Sequence, residues 1–225
     1  MRKGASWLPF CYGSRPNARF AERYTTVFFG DIAAEPRIKR ISKSEANDRE
    51  RWIDAAKDAL IHRGIDAVRP DDLAETLGQD PERFNDHFAN RAELLSTLLG
   101  QWEDMSMKPI AAIDAVKDAE AFTRFEAFMH AWVSCEPYFP VYDSAVRHWG
   151  RLDDEVALRV GALDDRRIAR LTEIFRDLGH EEEEAFIRAR ITYFHQIGYY
   201  ALGIKESSEQ RRLYWPLYAW ILSGR

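Results

Sequence analysis

The run LGQDPERFNDHFANRAELL, from Leu77 to Leu95, constrains the fold of this chain more tightly than any other stretch. Gly78 permits a tight turn, Asp80 can cap the segment that follows, and Pro81 suits its first turn, where a missing N–H is harmless. Phe84 and Phe88, four apart, bury one face of a short helix, and Asn90 with Glu93 has the spacing of a capping box for the next. The run therefore contains two helix starts separated by a turn. Strand-like alternation is scarce along the chain and apolar residues recur at three- and four-residue spacing, so the expected fold class is all-α.

The pattern extends in both directions. Trp52, Ile53, Ala56 and Leu60 form one apolar face of a helix that Gly64 closes. A second helix follows Arg69, with Pro70 in its first turn, Asp71 and Asp72 complementing the helix dipole, and Leu73, Ala74 and Leu77 facing inward. At about 1.5 Å per residue the third helix, 81–88, is roughly 12 Å long, enough to enter a major groove. Its anchored face leaves Glu82, Arg83, Asn85, Asp86 and His87 outward. A fourth helix from Asn90 carries Leu94, Leu95, Leu98 and Leu99 toward Met107. Two short helices joined by a Gly turn, flanked by one helix before and a longer one after, make a helix-turn-helix.

Beyond Pro109 the spacing predicts helices over 109–117, 119–135, 138–149, 153–178, 181–204 and 207–223, with breaks at Pro109, Asp118, the PYFP run, Gly150 and Gly179. Ile187, Ile191, Phe194, Gly198 and Ala201 form a packing stripe on one of these, and Pro216 should kink the last. The expected organisation is a basic, poorly ordered extension over 1–44, a three-helix DNA-binding domain over 45–101 and a helical ligand-binding and dimerisation domain over 102–225. The extension carries nine Lys/Arg against three Asp/Glu, a net of +6, and reads either as a mobile terminus or as a basic arm for phosphates.

Two cysteines in 225 residues suggest reduced thiols in the cytoplasm, and no apolar run approaches the roughly 20 residues that a bilayer requires. Catalytic constellations are missing. The six His lack metal-ligand spacing, there is no Gly-rich phosphate loop, and Glu181–Glu184 reads as a helix start rather than a metal cage, so neither enzyme activity, nor a metal, nor a cofactor is expected.

The segments IDAAKDALIHRGIDAV, DDLAETLG and HFANRAELLSTLL, between Ile53 and Leu99, resemble the N-terminal domain of the TetR family of transcriptional regulators. The likeness continues more weakly through SAVRHWGRLDDEVALRVGALDDRRIARLTEIFRDLG and RARITYFHQIGYYALG, and covers about residues 47–205. It implies a homodimeric repressor that leaves double-stranded operator DNA when a small effector binds. Carried over by position, the DNA contacts implied are Arg69, Gln79, Arg83, Asn85, His87 and Arg91, with Arg91 on a phosphate. Departures from the family fall on the same surface: Arg69 where a hydroxyl residue is common, Asp80 for Ser or Thr, Glu82 for a small residue, Asn85 for Tyr and Asp86 for an uncharged side chain. Residues 47–100 hold seven basic and twelve acidic side chains, a net of -5. Three readings stay open: acids spent on capping while Arg83 and Asn85 read bases, phosphate contacts supplied by the basic extension, or a ligand- or protein-binding dimer that has lost DNA binding.

The second half is rich in aromatic residues, which suggests an apolar or aromatic effector lined by Trp132, Tyr142, Trp149 and Tyr193, with Arg147, His148 or His195 as polar anchors. The dimer interface is expected on the last two helices, through Ile191, Phe194, Gly198, Ala201, Tyr214 and Leu217.

Overall fold

The computed structural model describes residues 48–133, 139–204 and 208–224; the extension over 1–44 lies outside the described residues. Among the described residues every regular element is helical. In order they are α1 (Asp48–Arg63), a 3-10 turn (Ile65–Ala67), α2 (Pro70–Leu77), a 3-10 helix (Pro81–Asp86), α3 (Arg91–Ala115), α4 (Ala121–Val133), α5 (Phe139–Trp149), α6 (Asp154–Asp177), α7 (Glu182–Ala201) and α8 (Ser208–Ser223).

The boundaries follow local chemistry. Gly78 takes φ 62° at the end of α2, a left-handed conformation costly for a residue with a Cβ, and its N–H returns to the carbonyls of Ala74 and Glu75. The Asp80 carboxylate accepts from the Glu82 N–H at 2.9 Å. Asn90 Oδ1 accepts from the Glu93 N–H at 3.0 Å, while Glu93 reaches back to the N–H of Ala89 at 2.7 Å, one residue before the position a capping box predicts.

The structure departs from the periodicity at two places. The segment after Pro81 is a 3-10 helix ending at Asp86, not an α-helix to Phe88. The amides of Arg83 and His87 bond three residues back, to Asp80 and Phe84, because Pro81 has no N–H and the Asp80 cap claims Glu82. At about 2 Å rise per residue the rod keeps a similar length. The expected break at Pro109 is also absent: α3 runs from Arg91 to Ala115 with Pro109 inside it. Ser106, Pro109, Ile110 and Ile113 are all buried along that helix, and this packing offsets the hydrogen bond the proline removes. Helix α8 likewise continues through Pro216.

Two cores result. One gathers Trp52, Ile53, Leu60, Leu73, Phe84, Phe88, Leu94, Leu98 and Trp102 with Tyr142, Val146 and Trp149 of α5 and Val156, Val160 and Leu163 of α6. The other joins Ile113, Phe125, Phe128, Leu171, Phe175, Ala189, Tyr193 and Leu222 from α3, α4, α6, α7 and α8. Helix α3 enters both, so the position expected to separate two domains lies inside one continuous helix. Replacing the Asn90 cap with Ala should lower stability by about 1 kcal/mol, measured by urea unfolding of the full chain.

Candidate nucleic-acid interface and interhelical network

The helix-turn-helix is built around Trp52. Its indole meets Phe84 edge-on at 5.5 Å between centroids, and Phe84 stacks on Phe88 at 5.3 Å. With both phenyl rings buried, Glu82, Arg83, Asn85 and Asp86 face solvent on the 3-10 helix. A shallow cleft of about 400 Å³ runs between the starts of α2 and α3, past Pro70, Asp71, Glu82, Asn85, Asn90 and Arg91.

The six residues expected to touch DNA are not equivalent. Arg69 is exposed immediately before α2, and Asn85 is exposed on the 3-10 helix. Arg83 is exposed but donates to Asp48 at 3.1 Å, an ion pair in solvent and therefore weak. Gln79 and His87 are half-buried, and Gln79 Oε1 and His87 Nε2 are enclosed without hydrogen-bond partners. Arg91 points inward: its Nε donates to the Val68 carbonyl at 2.5 Å and its Nη2 to the Ile65 carbonyl at 2.8 Å. The guanidinium thus ties the start of α3 to the junction between α1 and α2. Nothing in the local sequence marks that task, since its acceptors are backbone oxygens 23 and 26 residues away.

The residues expected to hold an effector separate in the same way. Tyr142 is fully buried and donates to the Leu98 carbonyl at 2.6 Å; burial pushes its phenol well above the ordinary range. Trp149 belongs to the same core, whereas His148 is exposed. His195 is half-buried with its ring 5.0 Å from that of Tyr218. The side chain of Trp132 lies outside the described residues.

Arg147 and Tyr193 do come together, in a network that includes three residues the sequence did not single out. Arg147 of α5 donates through Nη1 and Nη2 to both oxygens of Asp164 on α6, at 2.9 and 2.8 Å, and through Nε to Asp143 at 2.8 Å. Nη2 also reaches the Tyr193 oxygen on α7 at 3.0 Å, and the Tyr193 hydroxyl donates to Asp164. On the other side, Trp102 Nε1 of α3 donates to Asp143 at 3.0 Å. Burial alone would push the Arg147 guanidinium down, but the hydrogen bond to Asp164 and the charge of Asp143 outweigh it and hold the group firmly cationic. Burial also raises the Tyr193 phenol, which stays protonated and able to donate. The available sequence signal was Asp143 four residues before Arg147, the favoured helical order for an ion pair.

The helices that end the chain leave an apolar surface. Ala185, Ala189, Thr192, Tyr193 and Gln196 of α7 are buried, while Ile187, Ile191 and Phe194 face solvent, the last two 55% and 49% exposed. Tyr214, Leu217 and Trp220 of α8 are exposed as well. Ala201 is exposed and Gly198 half-buried.

The described residues thus form a helix-turn-helix with its second segment turned to solvent, carried by a long helix into an all-helical body. It is the fold of TetR-family transcriptional regulators. The chain is similar to the crystal structure of a transcriptional regulator from Rhodococcus sp. Rha1, with a TM-score of 0.57 and 16% identity over 79% of this chain and 95% of that one. It is also similar to a protein from Rhodococcus sp. assigned as a TetR-family transcriptional regulator, with a TM-score of 0.51 and 14% identity over 78% of this chain and 97% of the other. No family model matches the sequence, and no curated protein does.

Asp143→Ala should strip an acceptor from both Trp102 and the largely buried Arg147, costing about 3 kcal/mol in chemical denaturation. Arg91→Ala should lower stability by about 2 kcal/mol with no DNA present, because the Val68 and Ile65 carbonyls lose a charged, part-buried donor. A residue serving only a phosphate would leave the melting curve unchanged.

Proposed function

We propose that the protein is a cytoplasmic, non-enzymatic, homodimeric regulator of transcription: a repressor whose hold on operator DNA is released by a small apolar or aromatic effector. The observation that carries this reading is the recognition segment, in which Phe84 and Phe88 spend their apolar area on the core while Arg83 and Asn85 stand free of it. In a major groove, Arg83 matches guanine and Asn85 matches adenine, and either carboxylate beside them can accept from cytosine N4. The paired assembly is supported by the exposed stripe on α7 and α8: Ile191, Phe194, Tyr214 and Leu217 form an apolar surface that two copies would bury against each other. Two recognition segments in such a dimer would sit about 34–36 Å apart, or a multiple of that, to meet successive major grooves.

A second reading is favoured by the charge of the same surface. Arg83 is engaged with Asp48 and Arg91 with backbone carbonyls, while Asp71, Glu82 and Asp86 are exposed. A ligand- or protein-binding dimer that no longer engages DNA would carry such a face.

Gel-shift titration of the full chain against its gene's own upstream region, at two salt concentrations, separates the two. The regulator gives sequence-specific retardation with log affinity falling by about 0.9 per log unit of salt for each phosphate neutralised. Asn85→Ala should then change the preference among operator variants by about 1–3 kcal/mol while leaving the salt slope unchanged. Absence of specific retardation at both salt concentrations selects the second reading. Phe194→Asp should place a charge in the paired surface and yield monomers in analytical ultracentrifugation, with the helical circular dichroism retained.

A further inference from the structure

We infer that the Arg147-centred network is a coupling element, through which the position of α7 sets the position of the helix-turn-helix. The inference rests on the regulator reading for its purpose, but not for its physics. The network has one residue or more on each of four helices: Trp102 on α3, Asp143 and Arg147 on α5, Asp164 on α6 and Tyr193 on α7. It lies where the two cores meet, since Trp102 belongs to the first and Tyr193 to the second.

From Trp102 the path continues along α3 to Arg91, whose guanidinium holds the carbonyls of Ile65 and Val68 on either side of the α1–α2 junction. At the other end, Tyr193 faces the network while its neighbour Phe194 lies in the exposed apolar stripe, the two rings 5.8 Å apart. Helix α7 thus presents the network on one side and the proposed pairing surface on the other. Helix α6 also grips α3 directly, one turn beyond Asp164, where the fully buried Arg167 donates twice to the Ser106 carbonyl at 3.2 and 2.6 Å.

Apolar side chains would hold these helices together equally well, but without fixing their register. Hydrophobic contact is non-directional and yields to sliding. The bidentate Arg147–Asp164 pair is directional and locks α5 to α6, and a shift of α7 by a fraction of a turn breaks both bonds of the Tyr193 hydroxyl to that pair together. Because Arg147 and Tyr193 are already engaged with Asp164, an effector that reaches either residue must replace bonds of the network.

Hydrogen exchange of the full chain, read by mass spectrometry without DNA or effector, tests the coupling. Three variants are compared: Arg147→Met, Tyr193→Phe, which removes only a hydroxyl, and Leu171→Ala, which weakens the second core while leaving every hydrogen-bonding group of the network in place. The expected result is exchange about tenfold faster in α1, α2 and residues 81–88 for Arg147→Met, and several-fold faster for Tyr193→Phe. Leu171→Ala should leave those segments at the parent rate. If Arg147→Met does not fold, Tyr193→Phe decides alone. Faster exchange confined to α5, α6 and α7, or an equal rise in the helix-turn-helix for Leu171→Ala, overturns the inference. Loss of operator binding in the gel-shift experiment would refute the regulator reading and leave this result untouched.

Discussion

A guanidinium held between two carboxylates organises the body of this protein. Arg147 is largely enclosed, and a buried cation is tolerable only where acceptors replace the water it has lost. Asp164 and Asp143 supply them, and each is itself satisfied by a further donor, Tyr193 for the first and Trp102 for the second. That demand fixes how α3, α5, α6 and α7 approach one another. The two apolar cores contribute most of the stabilisation by burying side chains, and the polar network adds directional bonds across the seam where they meet.

The same demand for satisfied polar groups shapes the helix-turn-helix half. Arg91 is drawn inward by the carbonyls of Ile65 and Val68, and Arg83 is drawn sideways by Asp48. Cations so engaged contribute less to a phosphate backbone, and the acids at helix starts repel it. Asp80 and Glu93 have a structural occupation as caps, so their charge is explained by folding rather than by recognition. What remains exposed on this face is a narrow set of side chains on a rod anchored by two phenyl rings.

Helix α7 has two faces with different chemistry. One side is buried among small residues and carries Tyr193; the other exposes Ile187, Ile191 and Phe194. An apolar stripe of this size is expensive in water and is the usual mark of an association surface. It lies back to back with a polar network, so one helix carries an exposed apolar face and a buried polar one.

The sequence by itself determined the elements that obey local rules. Gly64 and Gly78 end helices, Asp80 and Asn90 start them, and Phe84 with Phe88 declares which side of the recognition segment is buried, because each of these effects acts within about one turn of chain. Apolar residues at three- and four-residue spacing gave the all-α class, and the ordered series from Ile53 to Leu99 gave the likeness to TetR regulators whose fold the chain adopts. Tertiary structure decided the rest. It kept α3 intact across Pro109, since burial of Ile110 and Ile113 outweighs one missing hydrogen bond. It turned Arg91 from a surface cation into a clamp on two distant carbonyls. It joined Arg147 to Asp164 and Tyr193, partners 17 and 46 residues away, because electrostatic need is met by whatever the packing brings within reach, and periodicity carries no record of that.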